Sequence, residues 1–148
     1  MNFPVPENSY ERFLRAVHKS VYAIDRNADR LLTEKEGGTF SQFLILMAIA
    51  QCSGLSQQKI AEFLDLTPAA VSRQIDSLVK AGLIVREQDP QSRRSHVVSL
   101  TPTGEKRFRA MKSTLLDSFK ESSKVPADEL DAASEILEKV VAAMHPHC

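Results

Sequence analysis

The 148-residue sequence has few features of an exported or membrane-bound protein. It contains two cysteines, Cys52 and Cys148, which are too few for a disulfide framework and are typical of a reducing compartment. No apolar run approaches the roughly 18 residues that a membrane-spanning helix needs. The first residues, MNFPVPENSYERF, have neither the basic nor the apolar segment of a secretory signal. We therefore expect a cytoplasmic protein that does not enter a membrane.

The sequence also lacks the motifs of common enzyme classes. It has no glycine-rich phosphate loop, no serine-nucleophile elbow and no His-Glu-x-x-His metal motif. His145, His147 and Cys148 lie close together, but such a group at a chain end is more typical of a frayed terminus than of a metal site. We predict no catalytic residue, no metal and no cofactor.

A net charge of zero hides an uneven distribution of charge along the chain. The whole sequence has 19 basic and 19 acidic residues, whereas residues 67–109 contain eight bases and four acids, a net charge of +4. The rest of the chain carries the opposite net charge. A basic segment between acidic flanks is one way in which a nucleic-acid-binding surface occurs in a neutral protein.

Apolar spacing predicts a long first helix and a buried second helix. Between residues 10 and 31 apolar residues recur at alternating intervals of four and three, which is typical of an amphipathic helix. Two glycines at 37–38 predict its end, and Thr39 or Ser41 can cap a second helix that runs to about Cys52. Because the second helix is apolar on nearly all sides, we expect it to lie in the core, with Cys52 as a small buried residue.

The middle of the chain has the pattern of a helix-turn-helix. Ser56 is a candidate N-cap for a short third helix. Thr67-Pro68 combines an N-cap with a first-turn proline and predicts a fourth helix that ends at Gly82. Two short helices that are joined by about three residues form a helix-turn-helix.

A hairpin and two more helices complete the predicted order. Residues 83–87 and 96–100 partly alternate in polarity and predict two strands around a polar loop, residues 88–95. Thr101-Pro102 repeats the cap-plus-proline pattern and begins a fifth helix. A sixth helix follows, with an apolar face of its own.

The fourth helix is predicted to present a DNA-reading face. Val71, Ile75 and Leu78 lie together on a helical wheel and should face the core, so Arg73 should point outward. A helix fits the major groove, and a wing reaches the minor groove or the backbone. An ordinary solvated surface is the alternative for each charge taken alone. The predicted DNA-binding residues are Ser56, Gln57, Thr67, Ala69, Ala70, Ser72, Arg73, Gln74, Arg93 and Arg94.

The segment from Leu66 to Gly104 resembles the multiple-antibiotic-resistance repressor (MarR) family. Its sequence, LTPAAVSRQIDSLVKAGLIVREQDPQSRRSHVVSLTPTG, is similar to the recognition helix, the wing and the following helix start of that family. The resemblance implies a mainly α-helical protein with a small β-hairpin. It would be a single MarR-like domain, residues 1–148, with a winged helix-turn-helix lobe at 39–101 and dimerisation helices at 8–36 and 102–146.

The resemblance extends to individual positions. Residues 71–73 correspond to the recognition helix, Asp89-Pro90 to the start of the wing, and Arg94 to the arginine at its tip. Many members have Asp two residues before this arginine, where the present sequence has Ser92. A carboxylate would hold the guanidinium by charge-assisted hydrogen bonds, and a serine holds it more weakly.

A ligand site is predicted where the first helix meets the second and fifth helices. His18 and Tyr22 lie one helical turn apart and are candidates for the wall of an apolar crevice. Packing in the core or at a dimer interface is the alternative. With two residues of the second helix, the predicted ligand-binding set is His18, Tyr22, Phe43 and Met47.

We therefore predict a homodimeric, DNA-binding transcriptional regulator. The resemblance implies a ligand-responsive repressor that binds double-stranded DNA at a pseudo-palindromic operator and responds to a small aromatic or hydrophobic ligand. One alternative is a winged-helix protein-interaction module, which the neutral charge and Ser92 favour. Another is a thiol-based redox sensor that uses Cys52 or Cys148.

Overall fold

A computed structural model describes residues 8–52 and 54–144, apart from the side chains of Arg93 and Arg94. Its mostly helical fold with a small antiparallel sheet confirms the predicted fold class. Within these residues no helix is both long enough and apolar enough to cross a membrane. In chain order the elements are α1 (Ser9–Glu36), α2 (Phe40–Gln51), β1 (Leu55–Ser56), α3 (Gln57–Leu64), α4 (Pro68–Lys80), β2 (Ile84–Asp89), β3 (Ser92–Leu100), α5 (Pro102–Ser123) and α6 (Ala127–Met144).

The junction between α1 and α2 is defined by two caps. α1 ends at Gly37, whose φ of 62° is left-handed and therefore suits glycine. Thr39 begins α2 with a reciprocal capping box: its hydroxyl accepts from the amide of Gln42, and the Gln42 side chain accepts from the amide of Thr39. The predicted break is confirmed, and of the two predicted caps, Thr39 and Ser41, the N-cap is Thr39.

The chain forms two compact units, one that ends at Leu115 and one that begins at Leu116. In the first unit α2 contributes five buried residues, more than any other helix, as its apolar sequence predicts. Phe43 stacks against Phe40 and Phe108, with ring centroids 6.0 and 5.6 Å apart. The buried core consists of Leu32, Phe43, Ile45, Leu46, Ile49, Ile60, Ala61, Val71, Ile75, Leu78, Ile84, Val98 and Met111.

Cys52 is exposed, so the expectation that it lies in the core is wrong. It is the C-cap of α2, and its amide donates to the carbonyl of Ala48. Ala50 and Gln51 are exposed as well. The apolar composition of α2 therefore overstates burial at its end, because the last turn extends beyond the core.

The wing hairpin is longer than predicted. β2 and β3 pair from Ile84 opposite Leu100 to Asp89 opposite Ser92, which leaves only residues 90 and 91 between the strands. Most of the predicted 88–95 loop is therefore strand. Polar residues extend the pairing because an antiparallel ladder is held by backbone groups and can face water.

The sheet has a third strand that the sequence analysis did not predict. Leu55 pairs with Val98, and Ser56 pairs with Val97, so β1 lies beside β3. A strand of two residues is too short to show alternation. Its pairing places the start of α3 beside the base of the wing.

The start of α5 is bonded to the loop between α4 and β2. The Thr101 hydroxyl donates to the Gly82 carbonyl at 2.7 Å, and the Thr101 amide donates to the Leu83 carbonyl at 3.0 Å. The same hydroxyl accepts from the amide of Gly104 at 2.9 Å, which confirms the predicted cap. A Cβ atom on Gly104 would lie 1.8 Å from the Leu83 carbonyl oxygen. Only glycine permits this approach.

In the second unit α5 ends and α6 follows after a turn. Lys124 has a left-handed φ of 52° in this turn, and Asp128 and Glu129 lie in the first turn of α6. Acidic residues there complement the helix dipole. α6 has no buried residue, and several large apolar side chains of the unit are exposed.

We expect Gly104→Ala to destabilise the protein by about 3 kcal/mol, because the new methyl group must displace the backbone at Leu83. Chemical denaturation measures the free energy of unfolding. Thr103→Ala, at an exposed position in the same helical turn, is the control and should change it by about 0.5 kcal/mol or less. Equal stability of the two variants would contradict the tight contact.

Candidate nucleic-acid interface

The turn between α3 and α4 is built as a helix-turn-helix requires. Asp65 caps α3 with a left-handed φ of 51°, a conformation that Asp tolerates. The Leu66 amide donates to the Ala61 carbonyl at 2.9 Å. The Thr67 hydroxyl then caps α4 by accepting from the Ala70 amide at 3.2 Å. The turn therefore combines a C-cap for α3 with an N-cap for α4.

The outward face of α4 follows from what the helix buries. Val71, Ile75 and Leu78 are at most 1% exposed, so the opposite face is turned to solvent. Arg73 is exposed, and no described residue pairs with its guanidinium. Of the other predicted contacts on this helix, Ala69 is exposed, and Ala70, Ser72 and Gln74 are half-buried.

The start of α3 contributes two more predicted contacts. The Ser56 hydroxyl caps α3 by accepting from the Lys59 amide at 3.2 Å. Gln57 is half-buried, and its Nε2 is buried without a hydrogen-bond partner among the described residues. A polar cleft of about 850 Å³ brings Ser56 and Gln57 against the wing. Gln57 would have to change rotamer to donate to a ligand from outside.

An ion pair that the sequence analysis missed joins α4 to the wing. A guanidinium nitrogen of Arg86 lies 2.6 Å from a carboxylate oxygen of Asp76. Asp76 is on the exposed face of α4 and Arg86 is on β2, so the pair offsets a negative charge on the recognition helix. No local pattern signals it, because the sequence gives no register between a helix and a strand.

Asp89 organises the turn of the wing. One carboxylate oxygen accepts from the Gln91 amide and the other from the Ser95 hydroxyl, each at 2.9 Å. The bond from the Gln91 amide, followed by that from Ser95, lowers the pKa of Asp89 below its ordinary value of 3.8, because both stabilise the ionised form. The nearby charge of Lys59 acts in the same direction. The family resemblance places Asp89 at the start of the wing but does not indicate this role.

Comparison with known proteins identifies the family. Residues 39–96 match the model of the MarR family. An uncharacterized HTH-type transcriptional regulator from Bacillus anthracis is 31% identical over 110 residues, which cover 74% of this chain and 71% of that protein. The chain belongs to the MarR family. This confirms the identification that the segment 66–104 suggested.

Other relatives and solved structures add detail. The HTH-type transcriptional repressor MdtR from Bacillus subtilis is 33% identical over 75 residues, 51% of this chain and 48% of MdtR. The chain thus spans about half the length of several curated relatives that it matches. A MarR family regulator from Streptomyces coelicolor, in complex with DNA, has a TM-score of 0.80 at 19% identity, over 99% of this chain and 95% of that one. The likeness to the Streptomyces coelicolor structure concerns the fold alone.

The ligand-binding set of the sequence analysis is distributed over two helices. His18 and Tyr22 are exposed on α1. On α2, Phe43 is buried in its aromatic stack, and Met47 is half-buried. Their common site therefore stays a prediction.

Some predicted positions lie outside the described part of the chain. The backbone of Arg93 and Arg94 belongs to β3, but their side chains are not described. His145, His147 and Cys148 are also outside it. Within the described residues no group of His, Cys, Asp and Glu could hold a metal ion.

We expect Asp89→Ala to loosen the wing turn, because it removes both hydrogen bonds. Hydrogen exchange of the Gln91 amide should accelerate by about fivefold to tenfold, and Glu87→Ala on the same strand is the control. Because the pKa of Asp89 is lowered, the stabilisation from its two hydrogen bonds is present at pH values above the ordinary pKa. It is lost as the pH falls through the lowered pKa. The protection of the Gln91 amide from exchange should therefore be lost only below pH 3.8, as Asp89 becomes protonated. An unchanged exchange rate in Asp89→Ala would contradict this role.

Proposed function

We propose that this chain binds double-stranded DNA and regulates transcription. The observation that carries the proposal is the exposed Arg73 on the second helix of a helix-turn-helix, unpaired among the described residues. An Arg side chain makes bidentate hydrogen bonds to guanine in the major groove. The small residues Ala69 and Ala70 at the start of the same helix allow close approach to the bases.

Phosphate contacts would surround this base contact. The Ser56 and Thr67 hydroxyls lie at the starts of α3 and α4, where backbone N–H groups favour an anion. The ion pair of Arg86 reduces the repulsion between Asp76 and the DNA backbone. We propose that Arg93 and Arg94 reach the minor groove or backbone from the wing, because an arginine gains from the negative potential of a narrow minor groove.

We further propose that the chain acts as a homodimer. The first half of α1 exposes large apolar side chains, with Tyr10 at 84% and Tyr22 at 64%. Contiguous exposed apolar surface marks an interaction site. A second copy would cover such surface through a two-fold interface. The other large exposed apolar residues on α1 and α6 are Leu14, Val21, Ile24, Ile136, Leu137, Val141 and Met144.

Repression and response to a ligand are part of the proposal. MdtR, which is 33% identical to this chain over 75 residues, is named a repressor. A small aromatic or hydrophobic ligand is proposed to bind near His18, Tyr22, Phe43 and Met47. It would act by binding more tightly to the dimer conformation that has one spacing of the two recognition helices than to the conformation that has another. Its effect on DNA affinity cannot exceed that difference in affinity.

Selection from a random duplex pool at about 0.15 M salt tests DNA binding directly. A palindromic consensus supports a dimeric DNA-binding regulator. No enrichment at all would instead support the winged-helix interaction module. Exposure of Cys52 favours a separate test of the thiol alternative. If alkylation of both thiols abolishes DNA binding, redox control replaces ligand control.

We expect Arg73→Ala to cost about 1–3 kcal/mol of binding free energy on the selected site and to relax preference at one position per half-site. Quantitative binding to the selected and to random duplexes measures both effects. Lys80→Ala is the matched control, because Lys80 is exposed on the same helix but lies in its last turn. An equal loss on both duplexes would make Arg73 a phosphate contact.

We expect a dimer in equilibrium sedimentation at micromolar concentration, with recognition helices about 34 Å apart on bound DNA. Tyr22→Glu and Ile24→Glu place charge within the exposed apolar surface of α1 and should shift the protein toward monomer. Glu34→Gln, at an exposed position near the end of the same helix, is the control and should not. A monomeric unmodified protein would contradict the proposal.

A further inference from the structure

Two polar bonds attach the end of α1 to α5, within the first unit. The guanidinium of Arg107 on α5 donates to the backbone carbonyl of Glu36, the last residue of α1. The Glu36 carboxylate accepts from the hydroxyl of Thr114, also on α5, with 2.6 Å between the two oxygens. The partners are 71 and 78 residues apart in sequence, so only the tertiary fold brings them together. We call these three residues the α1–α5 junction.

The face of α5 that contacts α1 is closely packed as well as hydrogen-bonded. Arg107, Met111 and Thr114 are four and three residues apart, so they lie on one face of the helix. Met111, between the two polar residues, is buried. A Cβ atom on Gly38, just after α1, would lie 3.1 Å from the Met111 Cε and 3.6 Å from a guanidinium nitrogen of Arg107. Little space is therefore left for the end of α1 to shift against α5.

The charge and the burial of the α1–α5 junction both favour a fixed geometry. Arg107 lies at the C-terminal end of α1, where the helix carbonyls carry a partial negative charge that attracts a cation. Glu36, Arg107 and Thr114 are all half-buried, so their electrostatic attraction is screened less than that of fully exposed pairs. Because the two bonds meet α5 at different points along its length, together they resist both sliding and rotation of the end of α1.

The start of α5 is attached to the recognition helix, also by polar bonds. The Thr101 hydroxyl and amide donate to the carbonyls of Gly82 and Leu83, which lie just after α4. From Thr101 to Thr114 the helix rises by about 20 Å, at 1.5 Å per residue. One continuous helix therefore connects the end of α4 with the end of α1.

We propose that Arg107 and Thr114 are positioning residues that fix α4 relative to α1 and thereby set the spacing of the half-sites that the protein selects. The inference rests on the proposed DNA binding by a homodimer. Because α1 carries exposed apolar surface of the proposed dimer interface, the connection from one recognition helix to its copy passes through two α1–α5 junctions.

DNA geometry makes such a junction a determinant of specificity. One added base pair moves a half-site by about 3.4 Å along the duplex and rotates it by about 35° around the axis. Recognition helices that are held rigidly cannot follow this change, whereas loosely held ones can. A fixed junction also lowers the ordering cost of binding at the correct spacing.

A series of duplexes tests the inference with the full chain. It contains the site selected from the random pool, the same site with one base pair inserted or removed between the half-sites, and an isolated half-site. We expect the unmodified protein to prefer the selected spacing by at least about tenfold, and Arg107→Met/Thr114→Val to reduce this preference to about threefold or less. Affinity for the isolated half-site should stay within about twofold, because the helix-turn-helix and the wing are unchanged. A general defect in folding would instead weaken binding to every duplex.

The same helix provides matched variants. Arg109→Met/Thr103→Val changes two exposed residues of α5, of which Arg109 pairs with Glu105 in its own helix, and should keep the preference for spacing. Arg107→Lys keeps a charged donor for the carbonyl at the end of α1 and should keep the preference to within about twofold. Thr114→Val alone, which keeps the shape of the side chain, should lower it by about twofold and tests the junction if the double variant does not fold.

Three results would overturn the inference. They are an unchanged preference in both junction variants, an equal loss in the control variant, and a loss in Arg107→Lys as large as that in the double variant. Each of these requires an unmodified protein that binds its selected duplex. If the unmodified protein binds no duplex, the DNA-binding proposal itself is refuted, so the two failures are distinguished by one measurement.

Discussion

Burial of one face of α4 fixes the orientation of this helix, and the directions of its exposed side chains follow from it. Val71, Ile75 and Leu78 are almost completely inaccessible and pack into a core centred on α2. Burial of each such side chain stabilises the fold by about 1.5–3 kcal/mol, whereas an exposed ion pair contributes about 0–1 kcal/mol. The apolar face therefore decides how the helix is rotated, and the outward direction of Arg73 is a consequence.

Polar contacts then set the positions of the parts around this core. The Thr101 hydroxyl and amide hold the start of α5 against the loop after α4, and Gly104 allows the two backbones to touch. On the other side of α4, Asp76 and Arg86 connect the helix to the first strand of the wing. Each bond is modest in energy, but together they specify angles that apolar packing alone leaves open.

Local patterns predicted the parts of the fold that depend on neighbours in sequence. The Thr39, Ser56, Thr67 and Thr101 caps are hydrogen bonds to amides three residues further on, so a short motif contains both partners. The inward face of α4 follows from helical periodicity alone. Cys52 was misassigned because composition describes a helix as a whole and does not tell where it leaves the core.

The sequence by itself determined the order of the helices, their caps, the buried face of α4 and the likeness of residues 66–104 to one family. Tertiary structure alone decided the pairing of β1 with β3, the length of the wing and the Asp76–Arg86 pair. The physical reason is the separation along the sequence of the residues that interact. Caps and helix faces arise from interactions within a few residues, whereas strand register and an ion pair between a helix and a strand require separate segments to meet in one fixed geometry.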